Sequence, residues 1–396
     1  MPVLSATAAA IRPGVFADLQ RHLDAFAARG GDLIPLHIGD TYLDPPESAR
    51  FSALSFGDGD ALYRYGPTAG LAELREAIAD DLRGRLRAFP GVSGEKHVLI
   101  GAGATHALAC AARVVLSPGD DVLLSAPYWP LAHGIVQSTG ARAIEVAFTS
   151  RLYRDPTADA GEILRAAMTP KTRALYVTTP NNPDGKVLTR DQLTRVAALA
   201  CEKDLWVFAD EVYADFTFGL PHVSIASLPG MAERSITVYS FSKSHALAGA
   251  RVGFAVAPEN VVRAARRIST HSVFNVPVLN QRSAAAALAA GLPWTERARD
   301  LYRNARDAAA AALEGSGIRF AVAEGGAYLF VDFTEVLAGA SLAVLLERAI
   351  DAGVLLAPGD AFGAPFEKWG RLCFTAVPLP RLLEGIARLR GAVDSI

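Results

Sequence analysis

The stretch Ser240-Phe-Ser-Lys243, with Arg251 eight residues further on, groups residue types capable of covalent chemistry. A lysine just after the apolar run Ser235-Ile-Thr-Val-Tyr-Ser240 can be desolvated, lose its proton and form an imine with an aldehyde. Ser240 and Arg251 flank it as a hydroxyl and a permanent cation, the donors that a phosphate group needs. Most lysines are solvated surface charges, so the cluster counts only if other parts of one site accompany it.

Gly101-Ala-Gly103-Ala-Thr105-His106 is a glycine turn that follows a strand and opens a helix, which presents free backbone N–H groups to an anion. It starts like a dinucleotide fingerprint, but His106 occupies the third glycine position and is too large for close helix–strand packing. The turn therefore reads as a phosphate cradle, with a plain tight turn as the alternative. Asp210-Glu-Val-Tyr213 follows Leu205-Trp-Val-Phe-Ala209, which puts an acid at the carboxyl end of a buried strand, where open α/β sheets keep their ligands. A protonated pyridine nitrogen would partner such an acid, and holding that nitrogen cationic makes the ring an electron sink. A carboxylate that caps the next element is the plainer reading. Asn181-Asn-Pro-Asp-Gly185 is composed like an ordinary turn.

The elements that must position these residues are read from periodicity. Leu71, Leu74, Ile78 and Leu82 share one face of a helix over Leu71 to Leu86, and a helix near Ala104 to Leu116 follows strand-like His97 to Ile100. Short apolar runs at Val122–Leu124, Ala143–Ala147, Ala174–Thr178, Leu205–Ala209, Ile236–Tyr239 and Val252–Ala257 lack strict alternation. Strands buried on both faces of a mainly parallel sheet look like this. The fold class is α/β, with helices on both sides. Beyond residue 290 the pattern changes to helices at Thr295–Leu313, Leu342–Ala352 and Leu379–Val393, with strands at Ile318–Val322, Ala327–Val331, Val354–Ala357 and Leu372–Thr375. The expected organisation is an N-terminal arm (1–45, with a helix over Phe16 to Ala28), a large domain (46–290) and a small α+β domain (291–396) joined by the arm.

With 51% apolar residues the chain can build a large core, and a net charge of −2 carries no footprint of a nucleic-acid partner. No apolar run has the length of a membrane span, and the N-terminal stretch has no apolar core of signal-peptide length. Cys110, Cys201 and Cys373 form no CxxC pair and suit a reducing compartment, so a cytoplasmic enzyme without a metal centre is expected.

Seven motifs in order, Tyr65-Gly-Pro-Thr-Ala-Gly-Leu-Ala-Glu-Leu-Arg75, Gly101-Ala-Gly-Ala-Thr105, Ala126-Pro-Tyr-Trp-Pro130, Asn181-Asn-Pro-Asp-Gly185, Asp210-Glu-Val-Tyr213, Ser240-Phe-Ser-Lys243 with Arg251, and Arg371-Leu-Cys-Phe374, resemble the class I/II aminotransferases, fold type I pyridoxal-phosphate enzymes. The likeness runs from about Gly39 to the C-terminus. It implies a seven-stranded, mainly parallel sheet in the large domain and transfer of an amino group from an amino acid to a 2-oxo acid. Lys243 would carry pyridoxal phosphate as an imine and move the proton between the substrate α-carbon and the cofactor. Asp210 would pair with the pyridine nitrogen, Tyr213 and Asn182 would bond the ring oxygen, and Tyr128 would stack on the ring. The amides of Ala104 and Thr105, with Ser240 and Arg251, would bind the phosphate. Tyr65 would reach it from a second subunit, so a homodimer is implied. Arg371 would clamp the substrate carboxylate as a planar two-pronged donor, helped by Asn182 and the Gly39 backbone.

Asp184 stands where the family's turn usually has threonine, His245 where an aromatic or small residue is common, and Ala250 where a bulky one often precedes the arginine. Tyr42, Trp129, His133, His245, His271 and Phe362 are candidate substrate-pocket residues, with ordinary packing as the alternative. No arginine is assigned to a second carboxylate, which leans away from a dedicated dicarboxylate enzyme. The same scaffold supports β-elimination, so a C–S lyase or a tailoring enzyme is the runner-up. A cofactor-binding regulator is a further alternative, disfavoured by the short, near-neutral N-terminus.

Overall fold

The computed structural model describes residues 2–11, 15, 19–55, 62–86 and 88–396. The expected start of the first helix at Phe16 lies outside the described residues; the helix runs over Gln20–Ala28.

Seven strands form the larger sheet: β1 (Val98–Ala102), β2 (Asp121–Ala126), β3 (Arg142–Ala147), β4 (Thr172–Thr178), β5 (Trp206–Asp210), β6 (Ser235–Ser240) and β7 (Val252–Val256). Their order is β1-β7-β6-β5-β4-β2-β3. Pairs from β6 through β5, β4 and β2 to β3 are parallel, while β7 is antiparallel to both β1 and β6. Alternate residues go to opposite faces, as a period of two requires. Leu124, Tyr176 and Phe208 pack with Leu108 and Val136 on one side, whereas Leu123, Leu175 and Val207 pack with Leu193 and Val196 on the other. Both faces are covered, which explains why the strands read as unbroken apolar runs.

β7 also fixes where chemistry can gather. Because it runs against its neighbours, its first residues lie beside the last residues of β1 and β6, with Val252 opposite Ala102 and Gly253 opposite Ser240. Arg251, Ala104 and Lys243 are therefore neighbours despite their separation in the chain.

A second sheet of four antiparallel strands has the order β10-β11-β9-β8, from β8 (Arg319–Phe320), β9 (Tyr328–Asp332), β10 (Ala357–Pro358) and β11 (Trp369–Cys373). Its core includes Leu345, Ile350, Leu382, Ile386 and Leu389, together with Phe26, Ile34 and Leu36 from the N-terminal segment. That segment is tied in by a parallel bridge between Ile34 and Val354 and by Cys373 N donating to Leu36 O at 2.7 Å. It then delivers Gly39 to the edge of the larger sheet.

Some boundaries differ from the sequence expectation. His97 closes a short helix, Gly94–His97, instead of opening a strand. The helix from Ala72 ends at Asp81 and continues as a wider π turn over Leu82–Leu86. The expected strand at Leu372–Thr375 begins three residues earlier, so Arg371 sits inside β11, opposite Phe330 on one side and Ala357 on the other.

Candidate active site

The Gly103–Val115 helix begins directly after β1, and its first turn has no side-chain cap. Gly103 has φ +78°, and a Cβ there would lie 2.5 Å from Arg251 Nη2; a Cβ on Gly253 would lie 2.3 Å from Ala104 N. Bare backbone is thus required at both positions, and it brings the helix amides and the Arg251 guanidinium together. Ser240 Oγ accepts from Ser242 N at 3.1 Å, which turns the chain into the segment carrying Lys243. A helix N-terminus and a guanidinium around one concavity are groups that can hold an anion.

Asp210 ends β5 deep in the protein, 5% exposed. Its Oδ2 accepts from Tyr176 Oη at 2.8 Å and its Oδ1 from Val212 N at 3.3 Å. Burial pushes its carboxyl up to about 6, against the pull of the Tyr176 hydrogen bond. No cation is bonded to it among the described residues, so a cationic ring nitrogen would relieve a standing desolvation cost.

Lys243 keeps part of its surface open to the same concavity but is otherwise ringed by protein, and its Nζ donates to Gly39 O. Burial is the main reason its ammonium is held below the ordinary lysine value; Asp40 opposes the shift, and the Arg371 and Arg251 charges reinforce it. A lysine so placed has more free base available for attack on a carbonyl.

Arg371 is nearly buried, at 8% exposure. Nη1 donates to Asn182 Oδ1 at 3.0 Å and Nη2 to His37 O at 2.7 Å. The guanidinium lies 4.3 Å from the Tyr328 ring centroid and 5.0 Å from that of Phe362. Its Nε is buried without a hydrogen-bond acceptor. A planar cation held by two bonds, flanked by rings and with one unused buried donor, is prepared for a carboxylate.

A cavity of about 160 Å³ joins these parts, and its lining includes Ala104, Thr105, Asn182, Asp210, Tyr213, Ser240, Lys243 and Arg251. All eight are residues singled out in the sequence. Gly39 and Arg371 meet it through Lys243 and Asn182. Tyr128 does not: it has no exposed surface, and its hydroxyl donates to Glu145 Oε1 at 2.7 Å. The neighbouring Trp129 lines the cavity in its place. Tyr65 stands at the surface, 84% exposed, with its ring centroid 4.8 Å from that of Phe274.

Of the other candidate pocket residues, Phe362 packs under Arg371. His245 is buried in a stack on Trp294 at 6.1 Å, His133 stacks on Tyr128 at 6.2 Å, His271 caps its own helix through Arg267 O, and Tyr42 is 38% exposed and held through its backbone by Thr375 O. Asp184 is buried behind the Asn182 turn, accepting from Thr149 Oγ1 and Asn181 Nδ2. One contributor had not been singled out: Tyr328, whose hydroxyl is 2.6 Å from that of Tyr213 and which a Cβ on Gly39 would strike. Burial pushes the Tyr328 phenol up to about 12, so it stays a neutral donor. Its only signal in the sequence is Gly325-Gly-Ala-Tyr328, two glycines ahead of an aromatic.

The fold and this arrangement gather a desolvated lysine, helix amides beside a guanidinium, and a buried arginine with an unused donor at the open end of an α/β sheet. The chain belongs to the class I and II aminotransferase family, whose model matches residues 31–389. Its relatives include an arginine–pyruvate transaminase of Pseudomonas aeruginosa, 34% identical over 87% of this chain and 86% of that protein, and an aspartate/prephenate aminotransferase of Thermus thermophilus, 30% identical over 98% and 99%. The solved structure of Thermus thermophilus aspartate aminotransferase with maleate superposes with a TM-score of 0.87 at 28% identity, covering 99% of this chain and all (100%) of that one. An aromatic aminotransferase from Pyrococcus horikoshii gives a TM-score of 0.84 at 30% identity, over 94% of this chain and 99% of that one. The protein is a pyridoxal-phosphate-dependent aminotransferase acting on an amino acid and a 2-oxo acid. No helix among the described residues is long and apolar enough to cross a membrane.

Proposed function

We propose that Lys243 is the residue that holds the cofactor and moves the proton, and that Arg371 selects substrates by their α-carboxylate. The observation that carries this reading is the cavity that joins Lys243, Asp210 and the Arg251 cradle, with Arg371 bonded to its Asn182 wall. Pyridoxal phosphate supplies an aldehyde carbon that accepts the amino group and a ring that draws electrons from the substrate α-carbon.

The chain's own residues do the rest. Ala104 and Thr105 amides, Ser240 and Arg251 hold the phosphate; the bare backbone at Gly103 and Gly253 supports that role. Asp210 would keep a proton on the ring nitrogen, consistent with a buried carboxyl to which no cation is bonded among the described residues. Asn182 and Tyr213 bond the ring oxygen. Trp129, not Tyr128, covers the ring face, because it is the one that lines the cavity. Lys243 Nζ, its basicity lowered by burial, would take the proton from the substrate α-carbon and deliver it to the former aldehyde carbon, two atoms away across the nitrogen. Arg371 fixes the α-carboxylate through Nε and its Nη groups, helped by Gly39, which orients the Cα–H bond for removal.

The chain works as a homodimer in which Tyr65 serves the neighbouring site; exposure of Tyr63, Tyr65 and Phe274 supports an unfilled contact there. The division into an arm (1–45), a large unit (46–290) and a small unit (291–396) is part of the same proposal, supported by the packing of Ile34 and Leu36 of the arm with Leu345, Ile350, Leu382 and Ile386 of the small unit. A cytoplasmic setting is supported by three free cysteines.

Replacing Arg371 with lysine tests the substrate half of the reading. Loss of the two-pronged grip should lower kcat/KM for amino acids by about 100-fold while amines without a carboxylate react unchanged. Equal losses for both would contradict the assignment.

A further inference from the structure

His106 interrupts the glycine fingerprint, and nothing in the reaction just described uses it. We infer that His106 is a positioning residue: its imidazole fixes the phosphate-binding turn and ties that turn to the surface loop carrying Phe274. The inference rests on the phosphate reading of the Gly103 turn.

Three contacts define the imidazole. Ala102 N donates to Nδ1 at 3.2 Å; Nε2 lies 3.0 Å from Ser272 Oγ and 3.3 Å from Cys110 Sγ. An acceptor at Nδ1 must be unprotonated, so the ring hydrogen is on Nε2. Ser272 suits that tautomer. Its single hydroxyl hydrogen goes to Ile268 O or Ser269 O, at 3.1 and 3.2 Å, which leaves the oxygen free to accept from Nε2–H. Burial, with the Arg113 charge reinforcing it, holds the imidazole below its ordinary pKa and so keeps it neutral.

Ala102 is the last residue of β1 and the residue before Gly103, and its backbone has turned away from extended geometry, at φ −69° and ψ 70°. No side chain of a preceding residue caps this helix. His106, one turn in, reaches back and takes the Ala102 amide, as the third residue of a capping box would. That bond holds the Gly101–Ala102 peptide at the point where the strand gives way to the permissive Gly103, so without it the entry to the helix, and with it the direction of the Ala104 and Thr105 amides, is less fixed. The Ser272 bond anchors the same ring to the loop whose Phe274 packs on Tyr65.

A positioning role for the phosphate turn should discriminate between cofactor forms that do and do not carry phosphate. The full-length protein, stripped of cofactor, is titrated with pyridoxal 5′-phosphate and with pyridoxal. His106→Ala should weaken the phosphate form about tenfold, the worth of one charge-assisted hydrogen bond, and leave pyridoxal unchanged. Asn places an acceptor oxygen where Nδ1 stood, so His106→Asn should restore affinity to within about threefold of wild type. Ser272→Ala, which leaves the turn's sequence intact, should give a smaller loss with the same preference. The inference is overturned if pyridoxal affinity falls in parallel, if the alanine variant binds like wild type, or if asparagine rescues nothing. Should His106→Ala not fold, the Asn and Ser272 comparisons decide alone. Wild-type protein that takes up neither compound would sink the cofactor reading itself.

Discussion

Asp210 carries the residue-scale argument furthest. Burial pushes its carboxyl up to about 6 from the ordinary 3.8, so its contribution to stability is present below pH 4 and is lost as the pH rises through 6. The difference corresponds to about 3 kcal/mol in the cofactor-free protein. Cofactor-free Asp210→Asn should therefore unfold at higher urea than wild type at pH 8, with the gap closing by pH 4. With pyridoxal phosphate bound, the order should reverse, since only the carboxylate can pair with a ring cation. A gap that keeps its sign when pyridoxal phosphate is bound would remove Asp210 as the ring partner. Residue types were legible in the sequence wherever chemistry dictates them: lysine, aspartate, two arginines. Direction was not. Tyr128 and Trp129 are adjacent in one turn, and only the fold decides that the first goes to Glu145 and the second to the cavity. Tyr328 escaped notice because it reaches the site from the other sheet, after a separation that no local pattern records.

Elements bring these side chains together by a rule of direction. Strands β1, β2, β4, β5 and β6 end at one edge, and β7 begins there, so Ala104, Trp129, Asn182, Asp210, Lys243 and Arg251 gather at the strand ends and in the segments that follow them. This much followed from unbroken apolar runs alternating with helices. The antiparallel course of β7 did not, since a buried strand reads alike in either direction. Close approach at the edge depends on missing side chains. Gly103→Ala would force a Cβ into Arg251 at φ +78°, a conformation costing about 1 kcal/mol or more by itself. We expect a lower melting temperature and weaker cofactor retention, read by thermal denaturation with and without pyridoxal phosphate. A variant that keeps both would show that the cradle has slack which the geometry denies. The late strand β11 was misplaced in the sequence by three residues because Trp369-Gly-Arg371 is mixed in polarity, although it pairs with β9 throughout.

For the whole molecule, the N-terminal segment bonds to the smaller sheet through Ile34 and Leu36 and then presents Gly39 to Lys243, so both sheets contribute to one site. Shared construction extends further if Tyr65 acts across a subunit contact. Mixing inactive Lys243→Ala with Tyr65→Ala protein should then yield hybrids with one intact site and activity above either parent, measured after co-refolding. Activity that merely averages the parents would place Tyr65 in its own subunit's affairs. The most direct measurement of the central claim is borohydride reduction of the purified protein incubated with pyridoxal phosphate, followed by peptide mass spectrometry. The expected result is one pyridoxyl group, on Lys243. Label on another lysine such as Lys186, or none at all, would contradict it.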